Sequence, residues 1–450
     1  TNRLNERFGY YYDAAGNLNR RTNNDAFIQT FNVNNLNQLT SGSRSGTLTV
    51  AGTTTSPSTN VTVNSLAATL YTDSSFARGG FSLVNGDNTF TTVGKDNLGR
   101  QDTQAITVNL PSAPSYSYDG NGNMLSDGKR TLIYDDENQL TQVYETNKWR
   151  SDFLYDGKMR RRVTKEYQWV NSKWVQTNEC RYVYDGNLVI QERDGGNQPL
   201  VSYTRGRDLS GSLQGAGGIG GLLARSDMDL QTHVFYHADG NGNITALQDQ
   251  KQIVVGKYLY DPFGSVLARN GQIAEANRYR FSSKEAHINS GLIYYLYRYY
   301  DPNLQRWPNW DPIADLMSLS YSKHFSRPPA EIHHGINHYK PLANNPMLFS
   351  DPDGRNPILI IPILGGISAF LSGCHKPVSP PINPYDYCWT DGAKNYPKTP
   401  DMTKSAYCQF LYQRCQTCCI QNYFVYVKNN DAFDGCIANC DALFAGCMMK

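Results

Sequence analysis

One short motif recurs along this chain and constrains its fold more than any other feature: an aromatic residue, Asp, a Gly/Asn turn, then an apolar residue. It stands at Tyr12-Asp13 with Gly16 and Asn17, at Tyr118-Asp119 with Gly122 and Asn123, and at Tyr134-Asp135 with Asn138 and Leu140. It returns at Tyr155-Asp156, Tyr184-Asp185, Asp239 with Gly242 and Asn243, and Tyr260-Asp261 with Gly264, while Phe31 to Thr40 is a degenerate copy without the Asp. Each copy predicts strand, turn, strand: Asp accepts turn amides, and Gly or Asn supplies the positive φ of a tight hairpin. A single hairpin cannot bury its own apolar face, so the hairpins must join into a continuous sheet. These Asp residues are therefore expected to be turn formers rather than catalysts. Composition agrees, since 31 Tyr and 38 Gly suit short strands and turns rather than helices.

Together these copies resemble the YD repeats of Rhs proteins, toxin-complex C components and teneurins. The resemblance implies a mainly β chain: a YD-repeat hairpin ribbon spiralling into a shell, over residues 1–40 and 114–290. Residues 41–113 break the pattern with alternating Thr/Val and regular turn signals, which predicts an inserted immunoglobulin-like β-sandwich serving as a spacer. With 450 residues, a prior of about three domains applies. The glycine-rich stretch Gly211 to Arg225 lacks the Lys-Ser/Thr of a phosphate loop and reads as a structural turn. Net charge is +2, and the cluster Arg160, Arg161 and Arg162 reads as a solvated edge rather than a nucleic-acid surface.

Residues 291–355 contain, in order, RYYDP, RW, DPI, NNP and DPDG. This is similar to the Rhs-associated core, which in some members acts as an intramolecular aspartyl protease. The resemblance implies catalytic residues Asp311 and Asp351, with Arg298 in support and a scissile region at Arg355 and Asn356. Two carboxylates held together share a proton, so one can act as base and the other as acid. The competing reading makes them the first residues of DP turns in a core that only plugs the shell. Extra residues lie at about Leu316 to His334, and His333, His334 and His338 are expected to be loop residues rather than metal ligands.

The variable tail is expected to cover 356–450. Its apolar segment 357–371 is short of the ~20 residues of a membrane-spanning helix, leaving membrane contact or a buried plug as its roles. Leu371 to Cys374 resembles a lipoprotein box by coincidence of sequence. Nine of the ten cysteines fall here: Cys374, Cys388, Cys408, Cys415, Cys418, Cys419, Cys436, Cys440 and Cys447. Their helical spacing predicts an α-helical module over 374–450 stapled by disulfides, preferred to zinc at the Cys415/Cys418 pair. A phospholipase-like reading fails because His375 is the last histidine.

By resemblance, the chain is expected to be a secreted or cell-surface shell that encloses or presents a toxin-like effector. Its own tail would be the cargo, with an immunity or secretion partner and a target-cell surface or glycan outside. The alternative is an adhesion or structural protein with an uncleaved tail. No cofactor, no metal and no outward catalytic constellation is expected, leaving self-cleavage as the candidate enzymatic step. Thr1 and the repeat that follows it read as a fragment with its upstream part, including any signal peptide, missing.

Overall fold

The computed structural model describes residues 3–54, 57–228, 232–311, 337–341, 344–347, 349–355 and the backbone of 358–359. Among the described residues the chain is β throughout, apart from one 3-10 turn at Phe281–Ser283. The helical module and all nine tail cysteines lie outside them, as do His333, His334, Asn356 and most of the apolar segment. No helix among the described residues is long and apolar enough to cross a membrane.

The strands follow from the turns. Asp119 accepts the N–H groups of Asn121 (3.0 Å) and Asn123 (2.8 Å), around Gly122 at φ +83°. Asp239 takes those of Asn241 and Asn243, both at 2.9 Å, around Gly242 at φ +78°. The carboxylate thus holds the amides two and four residues ahead, and the residue three ahead adopts the left-handed backbone that Gly and Asn tolerate best. Asp96 and Asp249 obey the same rule without an aromatic neighbour, and in the degenerate copy Asn34 substitutes for the carboxylate with bonds to Leu36 (2.9 Å) and Gln38 (3.0 Å). Asp185 departs from it, because it pairs directly with Leu188 across a tight Gly186-Asn187 turn.

From Ser117–Tyr118 to Val266–Asn270 the hairpins form one 14-stranded antiparallel sheet in strict chain order. Three of the motif tyrosines stitch a repeat to an earlier one. The Tyr155 hydroxyl donates to the Leu140 carbonyl (2.6 Å), Tyr184 to Arg161 (2.8 Å), and Tyr260 to Ile244 (2.7 Å). In each case the acceptor lies five residues after the Asp of an earlier turn. Alternation along each strand buries one face: Phe153, Val201, Tyr203, Val234, Tyr236 and Tyr258 point the same way into the core. Fully burying such side chains contributes roughly 1.5–3 kcal/mol each.

Residues 274–307 cross this buried face. Tyr294 and Tyr299 pack with Leu132, Val143 and Phe153, while Tyr279 joins Tyr203 and Tyr236. Here one expectation is corrected. Arg161 is fully buried and bonded to Glu285 and to the Tyr299 hydroxyl (3.1 Å), with its guanidinium 4.4 Å from the Tyr294 ring. Strand alternation turns it away from Arg160 and Arg162, and its strand Arg161–Val170 is central, paired on both sides.

Before this sheet, Leu39–Thr53 runs through the expected 40/41 boundary. It belongs to a six-stranded sheet that includes Phe8–Tyr12 and Ser75–Ser82, beside a four-stranded sheet that includes Gly86–Lys95 and Gln101–Leu110. Leu48 and Phe76 of the first meet Val61, Val63 and Phe90 of the second in one core.

Candidate functional site

The DPDG segment forms a turn of the repeat type. Asp351 is buried, and its Oδ1 accepts the N–H groups of Asp353 (3.2 Å), Gly354 (2.7 Å) and Arg355 (3.1 Å), with Gly354 at φ +85°. Phe349–Ser350 leads into it and pairs antiparallel with Ile358–Leu359 beyond.

Arg298 reaches this turn from the core segment. Its Nε donates to the Gly354 carbonyl, and one terminal nitrogen donates to the His338 carbonyl (3.2 Å). The other donates to Asp311 Oδ2 (2.8 Å) and stands 3.9 Å from Asp351 Oδ2. Trp307, itself buried, supports the guanidinium from 4.2 Å. Burial pulls the Arg298 pKa below its ordinary value, against the raising effect of Asp311, Asp351 and Asp353. The group nonetheless stays cationic, since a guanidinium is effectively always protonated. Its three nitrogens serve a carboxylate and two carbonyls along one rigid plane, a spread that the single nitrogen of a lysine cannot match.

Arg298, Asp311 and Asp351 therefore stand together, and the carbonyl drawn into their group is that of Gly354. Arg355 turns aside: its guanidinium lies 3.8 Å over Tyr297 and bonds Asp353 (2.6 Å). His338 offers its main-chain carbonyl as an acceptor to Arg298, and its ring lies tilted 5.2 Å from that of Trp310. Beside Arg298, a cleft bordered by Tyr134, Tyr155, Tyr297 and Asn309 has room for about one water molecule. Among the described residues no group of His, Cys, Asp or Glu is arranged to hold a metal ion.

Two participants escaped the motif reading. Lys284 donates to the Pro352 carbonyl (2.5 Å) and to the Gly217 carbonyl (2.8 Å), which joins the glycine-rich stretch to the DPDG turn. A Lys in FSSKE carries no spacing signal, and the glycines gave only a turn. Cys180, the cysteine outside the tail, is free and buried against Glu192.

No family model matches the chain. It is 30% identical over 246 residues to the tRNA3(Ser)-specific nuclease WapA of Bacillus spizizenii, covering 54% of this chain and 9% of that protein. It is 32% identical over 113 residues to toxin subunit YenC2 of Yersinia entomophaga, covering 24% and 10%. With salivary gland surface protein 1 of Aedes aegypti it shares 29% over 215 residues, or 47% and 6%. The chain thus spans a tenth or less of the length of these relatives. Among solved structures, the TcdB2–TccC3–Cdc42 crystal structure superposes with TM-score 0.41 at 19% identity, over 78% of this chain and 17% of that one. The Photorhabdus luminescens Tc holotoxin pore gives 0.40 at 18%, over 80% and 17%. The sequence relatives are consistent with an Rhs- or YD-type, toxin-related chain.

Proposed function

We propose that this chain is part of an Rhs-type shell that encloses or presents its own C-terminal segment and releases it by cutting itself after DPDG. In this reading the hairpin ribbon is the wall, residues 41–113 are an immunoglobulin-like spacer, and the disulfide-stapled tail is a secreted, toxin-like cargo. Similarity to nuclease and toxin-subunit sequences supports the cargo idea. The observation that carries the cutting is the reach of Arg298 to Asp311, to Asp351 and to the Gly354 carbonyl at once.

The chemistry is hydrolysis of the peptide that follows Gly354, within the Arg355–Asn356 region. One carboxylate takes a proton from water as its oxygen bonds to the carbonyl carbon. Arg298 offsets the charge that builds on the carbonyl oxygen. The C–N bond then breaks, and the second group, which enters the step as the carboxylic acid of the proton-sharing pair, gives its proton to the departing amine and is left as the carboxylate, while the first is left protonated. Asp351 Oδ1 is occupied by three amides, so its Oδ2 is the oxygen that takes part.

The test is intact mass and gel migration of the purified chain beside Asp311→Asn and Asp351→Asn. A tail fragment beginning at Arg355 or Asn356, lost in both variants, is the expected result. An uncut wild-type chain would return both residues to turn formation and leave an attached surface module.

A further inference from the structure

The glycine-rich loop is built to meet the DPDG turn. Buried Asp208 organises it: Oδ2 accepts the N–H groups of Ala216 (2.7 Å) and Gly218 (3.1 Å), and Oδ1 accepts that of Ser210 (3.0 Å). This presents Gly217, at φ +61°, so close to the turn that a Cβ there would stand 1.9 Å from the Pro352 carbonyl oxygen. Ser283 accepts the Gly220 N–H (3.1 Å) and donates to the Gly242 carbonyl (2.7 Å), tying the loop to the repeat turn at Asp239. Lys284 is the next residue, buried, and its ammonium spans the Gly217 and Pro352 carbonyls. The turn closes without it, because Asp351 already holds three amides. A buried ammonium is expensive, so its placement on the carbonyl next to Asp351 calls for a role.

We infer that Lys284 is a positioning residue for self-cleavage: with Gly217 it fixes the Pro352 carbonyl and thereby sets Asp351 and the Gly354 carbonyl against Arg298. This rests on the self-cleavage reading above. The groups facing the ammonium are Asp351 and Asp353 of the turn, Asp208 of the loop, Arg205 of the strand before it, and the Tyr295 ring at 5.4 Å. Burial brings the Lys284 pKa down to about 8, against the raising effect of Asp353 and Asp351. Cleavage should therefore slow as pH rises through about 8 and the charge-assisted bonds weaken. Stability moves the other way: a lysine whose folded pKa lies below its unfolded value adds stability as pH climbs between the two. Slower cutting in that window cannot then be ascribed to this group loosening the fold.

The experiment follows cleavage of the full chain by gel and intact mass across pH for wild type, Lys284→Met and Gly217→Ala, with hydrogen exchange of the 351–355 amides. Lys284→Met should cut on the order of a hundredfold more slowly, as expected for a misplaced reacting group, and lose the decline near pH 8. Wild-type rate and pH profile in Lys284→Met would overturn the inference. If Lys284→Met does not fold, Gly217→Ala decides, since it displaces the Pro352 carbonyl and keeps the amine: slower cutting supports the inference and an unchanged rate overturns it. If the wild type never cuts, the self-cleavage reading fails by itself. Lys284 is then judged on exchange: faster amides at Gly354 and Arg355 in Lys284→Met sustain its positioning role, and unchanged ones end it.

Discussion

The turns at Asp261-Pro262-Phe263-Gly264 and Asp351-Pro352-Asp353-Gly354 share sequence type and backbone, yet they sit in opposite surroundings. Both place glycine at positive φ, +94° and +85°. Both bury the Asp and spend one of its oxygens on backbone amides, at Phe263 and Ser265 in one and at residues 353–355 in the other. Around Asp261 the neighbours are mainly aromatic, with the Arg21 charge acting at longer range: Phe263 packs on Tyr10 at 5.0 Å, and the Tyr300 hydroxyl donates to the Phe263 carbonyl (2.9 Å). Burial there holds the Asp261 carboxyl above the usual range. Around Asp351 stand the Arg298 guanidinium and the Lys284 amine. The DPxG sequence makes the shape; the Arg298 cation of the core segment and Lys284, just after the 3-10 turn, distinguish the surroundings of one of the two.

The comparison breaks most sharply on the carboxylates. Asp311→Asn and Asp351→Asn should each lower self-cleavage by roughly 10²–10⁴-fold, whereas Asp261→Asn should cut like wild type in the gel assay. Equal loss in all three would dissolve the distinction. Next comes Arg298→Lys, which keeps a charge but loses the fork; about a hundredfold slower cutting is expected, and a wild-type rate would sink the role given to the guanidinium. Smaller effects concern stability. A Cβ on Gly264 would lie 2.6 Å from the Phe281 ring, against 3.2 Å from the Arg298 amide nitrogen for Gly354. Gly264→Ala should thus cost about 3 kcal/mol in denaturant titrations and Gly354→Ala about 1–2 kcal/mol; the reverse order would contradict the packing. Smallest is the pH effect. Because the Asp261 pKa is raised on folding, its contribution is present at low pH and lost as pH rises through that value. Asp261→Asn should be more stable than wild type at pH 7, and the gain should vanish once acid has protonated the carboxyl in both the folded and unfolded chain. A difference independent of pH would refute it.

Much of this was legible because turn chemistry is local. Asp with Gly or Asn three residues later is written in the chain, and the ordered RYYDP–RW–DPI–DPDG elements pointed to Arg298 and the two carboxylates that meet it. What stayed hidden depends on distant contacts. Asn34, Asp96 and Asp249 make the same turn as their aromatic-preceded counterparts, so the aromatic half of the motif is dispensable to the turn itself. Its role is long-range: the hydroxyl bonds of Tyr155, Tyr184 and Tyr260 cross 15, 23 and 16 residues. Arg161 read as solvated because its burial is created by residues 285–299, more than a hundred positions away. Lys284 and Gly217 likewise acquire meaning only when the chain folds back on itself.

The tyrosine stitching has one further consequence. Each stitch ends on a main-chain carbonyl, an acceptor that every amino acid supplies. These three bonds therefore make no demand on the side chain of the residue they clasp, unlike the Asn123–Asn138 side-chain bond (2.7 Å) between two other turns. Such joints tolerate any residue at the clasped position. A sheet joined this way can keep its construction while its length diverges.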